Sequence, residues 1–163
     1  MYGFADDHTA NTRFKPTPTE EACAIDDLQN CAIEINKWMN NNKLKMNNSK
    51  TEFILFGSRL QLNKCSTKEI TICNEVIKST NCIRYLGAFL DKSLNFKEHV
   101  KRKCKTAMLY YFKIKSIRKY LSKEATETLL LSLVISHLDY CNIIVYGTAQ
   151  NELMKLQRVP SLC

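Results

Sequence analysis

Near its start the chain reads YGFADDHTANTRF over residues 2–14, which sets two carboxylates, Asp6 and Asp7, between aromatic residues and a polar run. Adjacent carboxylates on a tight turn between two strands aim their oxygens at divalent ions. Such ions activate an attacking hydroxyl and stabilise a departing pyrophosphate. An Asp-Asp pair taken alone is a weak signal, because the same residues serve equally well in an ordinary acidic turn. A second group with chemical potential lies between Lys97 and Lys119, where nine Lys/Arg residues face a single acid, Glu98. Clustered positive charge fits a polyanionic partner, nucleic acid above all, or else a solvated helix face.

The elements that must position these groups follow from periodicity and punctuation. Pro16 and Pro18 block a continuous helix after Phe14. Thr17 is placed to cap the next helix, with Pro18 at its first position and Glu20 completing a capping box. Ala22, Ile25, Leu28, Ala32, Ile35 and Met39 recur at helical spacing, and the Asn run at 40–42 ends the helix. The segment TEFILF at 51–56 reads as a buried strand and 57–68 as a loop. EITICNEVIKS at 69–79 reads as two strands with a turn at Asn74-Glu75, and CIRYLGAFLD at 82–91 as one further strand. Asn95 is expected to cap a basic helix with Val100, Ala107, Met108, Leu109 and Ile114 toward the core; of Tyr110, Tyr111 and Phe112, at least two should pack there. Ser122 is expected to cap a third, strongly apolar helix buried on most faces. The fold class is α+β, a mainly antiparallel sheet region followed by helices.

The whole chain has 163 residues, 45% of them hydrophobic, enough for one domain or two small units. Its net charge is +8. No apolar run reaches the roughly 18 residues of a membrane span, and no basic-then-apolar leader opens the sequence. These features imply a cytoplasmic or nuclear protein, not secreted, with no membrane partner. Eight cysteines contain no Cys-x-x-Cys pair, so free or buried thiols are expected rather than zinc ligands. His8, His99 and His137 have no ligand-type spacing and are read as non-metal.

Five stretches occur in a telling order: GFADDHT, WMNNNKLKMNNSKTEFILFGS, IRYLGAFLDKSLNFKEHV, LSKEATETLLLSLVISHLDYCNIIVYG and KLQRV. Together, from about Gly3 to Val159, they resemble the reverse transcriptase of non-LTR (LINE-type) retrotransposons, especially the jockey and chicken-repeat-like group. The resemblance implies that residues 1–94 are part of a polymerase palm, from catalytic turn to primer grip, and 95–163 a truncated helical thumb. Phe4-Ala5-Asp6-Asp7 looks like the family's catalytic turn, whose usual aromatic is Tyr. Asp6 would then be the principal metal ligand and Asp7 the less direct one. Lys50 in NNSKTE matches the lysine proposed in related polymerases to protonate the leaving pyrophosphate; its plainer role is a surface lysine before a strand. Tyr85, Leu86 and Gly87 match the primer grip, where close backbone approach needs a glycine. Lys101, Arg102, Lys105 and Lys113 are the candidate contacts to nucleic-acid phosphates.

The departures from that family are equally specific. Its first metal-binding aspartate, fingers, nucleotide-selecting motif and endonuclease have no counterpart among these residues, and the thumb normally continues further. The expected function is therefore that of a fragment of an RNA-directed DNA polymerase, acting in the full family on an RNA template and a DNA primer with Mg²⁺ or Mn²⁺. Alone it is expected to bind metal weakly or not at all and to be inactive. Two alternatives remain: a non-catalytic nucleic-acid-binding or dimerisation module derived from a retroelement, and an enzyme completed in trans by a palm and fingers half.

Overall fold

A strand pair opens the fold: β1 (Tyr2–Phe4) and β2 (Asp7–Thr9) run antiparallel, with Phe4 opposite Asp7. The computed structural model describes residues 2–4, 7–146 and 148–159. The chain divides into two compact units, residues 1–81 and 82–163. The described elements are of the α+β class, with three separate two-stranded antiparallel sheets and several helices. No described helix is long and apolar enough to cross a membrane.

In the first unit the main helix, α1, spans Pro18–Asn41. Thr17 has the extended backbone of a cap, yet its side chain makes no capping hydrogen bond. The expected capping box does not form, because Glu20 turns back to accept from the Lys15 amide at 2.8 Å. Glu21, almost fully buried, accepts from the amides of Ser66 (2.9 Å) and Thr67 (2.7 Å) and so ties a distant loop to the first helical turn. Burial pushes its carboxyl up, but the bonds from Thr67 and Ser66 outweigh this and leave it below the ordinary carboxylate value. Ala32, with Ile25 and Leu28 beside it, packs on Phe53, Ile70, Ile72 and Ile77. The isoleucines come from β3 (Glu69–Ile72) and β4 (Glu75–Lys78), on which inward and outward residues alternate.

Three expectations for this unit need correction. The segment 51–56 forms no strand: only Phe53 pairs, through one parallel bridge to Ser79, because β4 ends at Lys78 and leaves no partner to extend the ladder. The loop expected at 57–68 contains a short helix, α2 (Arg59–Leu62), opened by a capping box between Ser58 and Gln61. The β3–β4 turn sits one residue earlier than expected, at Cys73 and Asn74, both at positive φ (50° and 67°), as a two-residue hairpin turn requires.

The second unit begins with a hairpin where one strand was expected. β5 (Cys82–Tyr85) and β6 (Ala88–Asp91) pair around Leu86 and Gly87, at φ 45° and 81°. The left-handed backbone at both central residues folds the run back on itself. The Asp91 carboxylate then accepts from the amides of Ser93, Asn95 and Phe96 and shapes the entry to α3 (Lys97–Ile117). Phe96, not Asn95, occupies the cap position; Asn95 reaches only the Lys97 amide, at 3.0 Å. Ser122 caps α4 (Lys123–Leu129) as expected, accepting from the Ala125 amide at 3.2 Å. A π-helical stretch (Leu130–Ile135) leads into α5 (Ser136–Asp139), and α6 (Gln150–Arg158) follows. The core holds Ala107, Ile114, Val134, Leu138 and Val159. The apolar third helix is less covered than its composition suggests, since Leu131 and Leu133 are exposed.

Candidate functional site

The basic helix α3 sorts its cations by phase. His99, Val100, Lys103, Ala107 and Ile114 form its buried face. At about 100° per residue, Lys101, Arg102, Lys105 and Lys113 fall within an arc of roughly 120° on the opposite side, and all four are exposed. Met108 is half-buried against the core as expected, whereas Leu109 lies exposed on the basic arc. Phe112 is exposed on the same arc, while Tyr110 and Tyr111 pack against the core.

The cations are not equivalent. Arg102 donates from Nε to Glu98 at 2.6 Å, and its guanidinium lies 4.3 Å from the Phe89 ring centroid. Hydrogen bonding from Arg102 is the main reason that the Glu98 carboxyl is held below its ordinary value. Lys101, Lys105 and Lys113 form no ion pair among the described residues. Lys103, only 6% exposed, turns the other way. Its Nζ donates to the His137 carbonyl at 2.8 Å and stands 4.8 Å from the Tyr140 ring centroid. Burial lowers its pKa. Beside it, His99 Nδ1 accepts from the Phe89 amide at 3.2 Å, while the buried His137 Nε2 has no hydrogen-bond partner. Burial first, and Lys103 second, hold both imidazoles below their ordinary pKa.

The other candidate residues are placed as follows. Asp6 lies outside the described residues. Asp7 opens β2 and is exposed. Lys50 ends a 3₁₀ turn (Asn48–Lys50), exposed, and makes no ion pair with Asp7. Tyr85, Leu86 and Gly87 form the end of β5 and its turn. The close approach that Gly87 permits is to Tyr140: a Cβ there would stand 2.9 Å from the ring's Cε1, and the Tyr140 hydroxyl donates to the Leu86 carbonyl at 2.8 Å.

Among the described residues no group of three or more His, Cys, Asp or Glu side chains is placed to hold a metal ion. A hard divalent cation takes about six oxygens, and Asp7 alone does not supply them. Sequence reasoning missed Lys155 and Arg158 of α6, which join Lys97 and Lys101 of α3 around one cleft. Their i,i+3 spacing on a helix was the available signal. Comparison with protein-family models, curated proteins and solved structures finds no match.

Proposed function

We propose that the chain is a fragment of an RNA-directed DNA polymerase of the non-LTR retrotransposon type, with residues 1–94 from its palm and 95–163 from its thumb, inactive by itself. The observation that carries the reading is the pairing of Phe4 with Asp7 across β1 and β2. It brackets Ala5-Asp6 between antiparallel strands, the setting that metal-dependent nucleotidyl transfer asks of a carboxylate pair. Asp6 and Asp7 would contribute their share of metal ligands, and the remainder would come from an earlier palm strand. Lys50 would serve the leaving group, and the hairpin turn at Tyr85-Leu86-Gly87 the primer end. Primer extension on an RNA template with Mg²⁺ tests this. The chain alone should incorporate nothing, and a version extended upstream through fingers and palm should extend the primer unless Asp6 is replaced by Ala. Incorporation by the pure chain, abolished by Asp6→Ala, would refute the fragment reading.

The basic arc of α3 favours a second reading, a non-catalytic nucleic-acid-binding module. Lys101, Lys105 and Lys113, without intramolecular partners, would contact phosphates without reading sequence. Charge reversal at Lys101 and Lys105 should weaken binding equally for unrelated sequences. Each lost contact should lower the slope of log affinity against log salt by about one. Unchanged binding and slope would make α3 a solvated face.

A further inference from the structure

We propose that the cleft between the start of α3 and α6 binds a compact phosphate: a free oligophosphate or the terminal phosphate of a larger molecule. The cleft is open and holds about 410 Å³, within the range of small-ligand sites. Lys97 and Lys101 line it from α3, one helical turn apart, and Lys155 and Arg158 face them from α6.

Two carboxylates also border the cleft, and both already have a cation. Glu98 is held by Arg102, which is not part of the lining. Glu152, 4% exposed, accepts both of its bonds from Lys155 Nζ, at 2.8 and 2.9 Å. Lys97, Lys101 and Arg158 have no ion pair among the described residues, so their charge stays available. The first-turn amides of the 21-residue helix α3 add positive potential at the same end.

The shape decides the ligand class. A diester backbone spreads its charge along a groove and suits the long exposed arc with Lys105 and Lys113. Here cations converge from two walls on one small space. That suits a dianionic phosphate group, which an arginine fork binds in two-point fashion while lysines act as point charges. The Cys104 thiol, half-buried, belongs to the lining and serves as a built-in reporter. The site does not depend on the polymerase reading, because Lys105 and Lys113 are not part of it.

The test uses the full chain at low salt, titrated with pyrophosphate by calorimetry, with alkylation of each cysteine followed by mass spectrometry. A parallel arm uses one oligonucleotide with a 5′-phosphate and the same oligonucleotide with a 5′-hydroxyl. Saturable pyrophosphate binding should slow alkylation of Cys104 and leave the exposed Cys23 unaffected. The exposed substitutions Lys97→Gln and Arg158→Gln should each weaken binding by about tenfold, while Lys105→Gln and Lys113→Gln leave it intact. Protection of Cys104 by the 5′-phosphorylated oligonucleotide alone would identify a terminal phosphate as the source. The proposal is overturned if neither pyrophosphate nor the 5′-phosphate protects Cys104, if heat is released without that protection, or if both oligonucleotides protect equally through Lys105 and Lys113.

Discussion

Replacing Gly87 with Ala should destabilise the second unit by about 2–3 kcal/mol, with most of the cost traceable to one ring. Gly87 has φ 81°. A left-handed backbone costs a residue with a Cβ about 1–2 kcal/mol. Restriction of the unfolded chain by the new methyl offsets about 0.4–1 kcal/mol of that. The backbone share alone is thus near 0.5–1 kcal/mol. The remainder comes from contact, since the new Cβ would stand 2.9 Å from Tyr140 Cε1. The ring must swing away, and its bond to the Leu86 carbonyl and its stacking with Lys103 go with it. The assay is hydrogen exchange of the buried amides of Ala107 and Val134 under mild denaturant, which reads the second unit without relying on the first. Gly87→Ala is measured in the native background and again with Tyr140→Ala. The cost should fall by about 1–2 kcal/mol in the second background, a coupling of the size seen for residues in contact. Equal costs in both backgrounds would show that the ring has no part in the effect, and an unchanged native-background stability would refute the strain argument too.

The pair His99 and His137 predicts acid sensitivity. Both pKa values are lowered by burial and by Lys103, so below the ordinary value of 6.5 the unfolded chain binds protons that the folded one excludes. Stability of the second unit should hold above pH 7 and fall as pH drops through 6.5, by up to about 1.4 kcal/mol per pH unit for each proton. Glu21, Glu98 and Glu124 act only near and below 4.5, so urea unfolding between pH 7.5 and 5.5 isolates the histidines; a flat profile would refute the assignment. Ser122→Ala should cost about 1 kcal/mol through loss of the α4 cap, read by the same exchange experiment; its effect should be confined to the second unit. Calorimetry with Mg²⁺ or Mn²⁺ should show at best weak binding at Asp6 and Asp7; micromolar affinity would mean that the carboxylate pair has further ligands within the chain.

How much of this was legible depended on whether the signal was local. α1 and α3 were readable because their apolar residues repeat at helical spacing and prolines or polar runs mark their limits. The turn at Leu86-Gly87 was not. Its run lacks an Asn-Gly or Asp-Gly pair, and Leu86 in a left-handed conformation is rare enough to hide a hairpin inside an apparent strand. The cap of α3 was misplaced by one residue because Asp91, four residues before Asn95, supplies most of the bonds that a cap residue would make. Within the candidate site, Lys103 looks no different from Lys101 or Lys105 in a list of basic residues. Only its phase with Val100, Ala107 and Ile114 marks it for burial, and the carbonyl that receives it comes from His137, far along the chain. The cleft was hidden for the same reason, since its walls are two helices that no local pattern joins.

The π-helical stretch acts as a vernier for the helix that contains it. Thr126, Val134 and Leu138 are buried and Leu130 is half-buried, a repeat of four residues. On an α-helix each such step overshoots a full turn by about 40°, and three steps would carry the last side chain roughly 120° off the first. The wider i→i+5 winding of Leu130–Ile135 turns less per residue and cancels part of that drift. The segment's length is therefore fixed to the residue. Deleting one position within it would yield a continuous α-helix with better local hydrogen bonding, yet would rotate Leu138 and His137 by about 100° around the axis. Leu138 would leave the core, and Lys103, thirty-four positions earlier in the chain, would lose the carbonyl that accepts its charge.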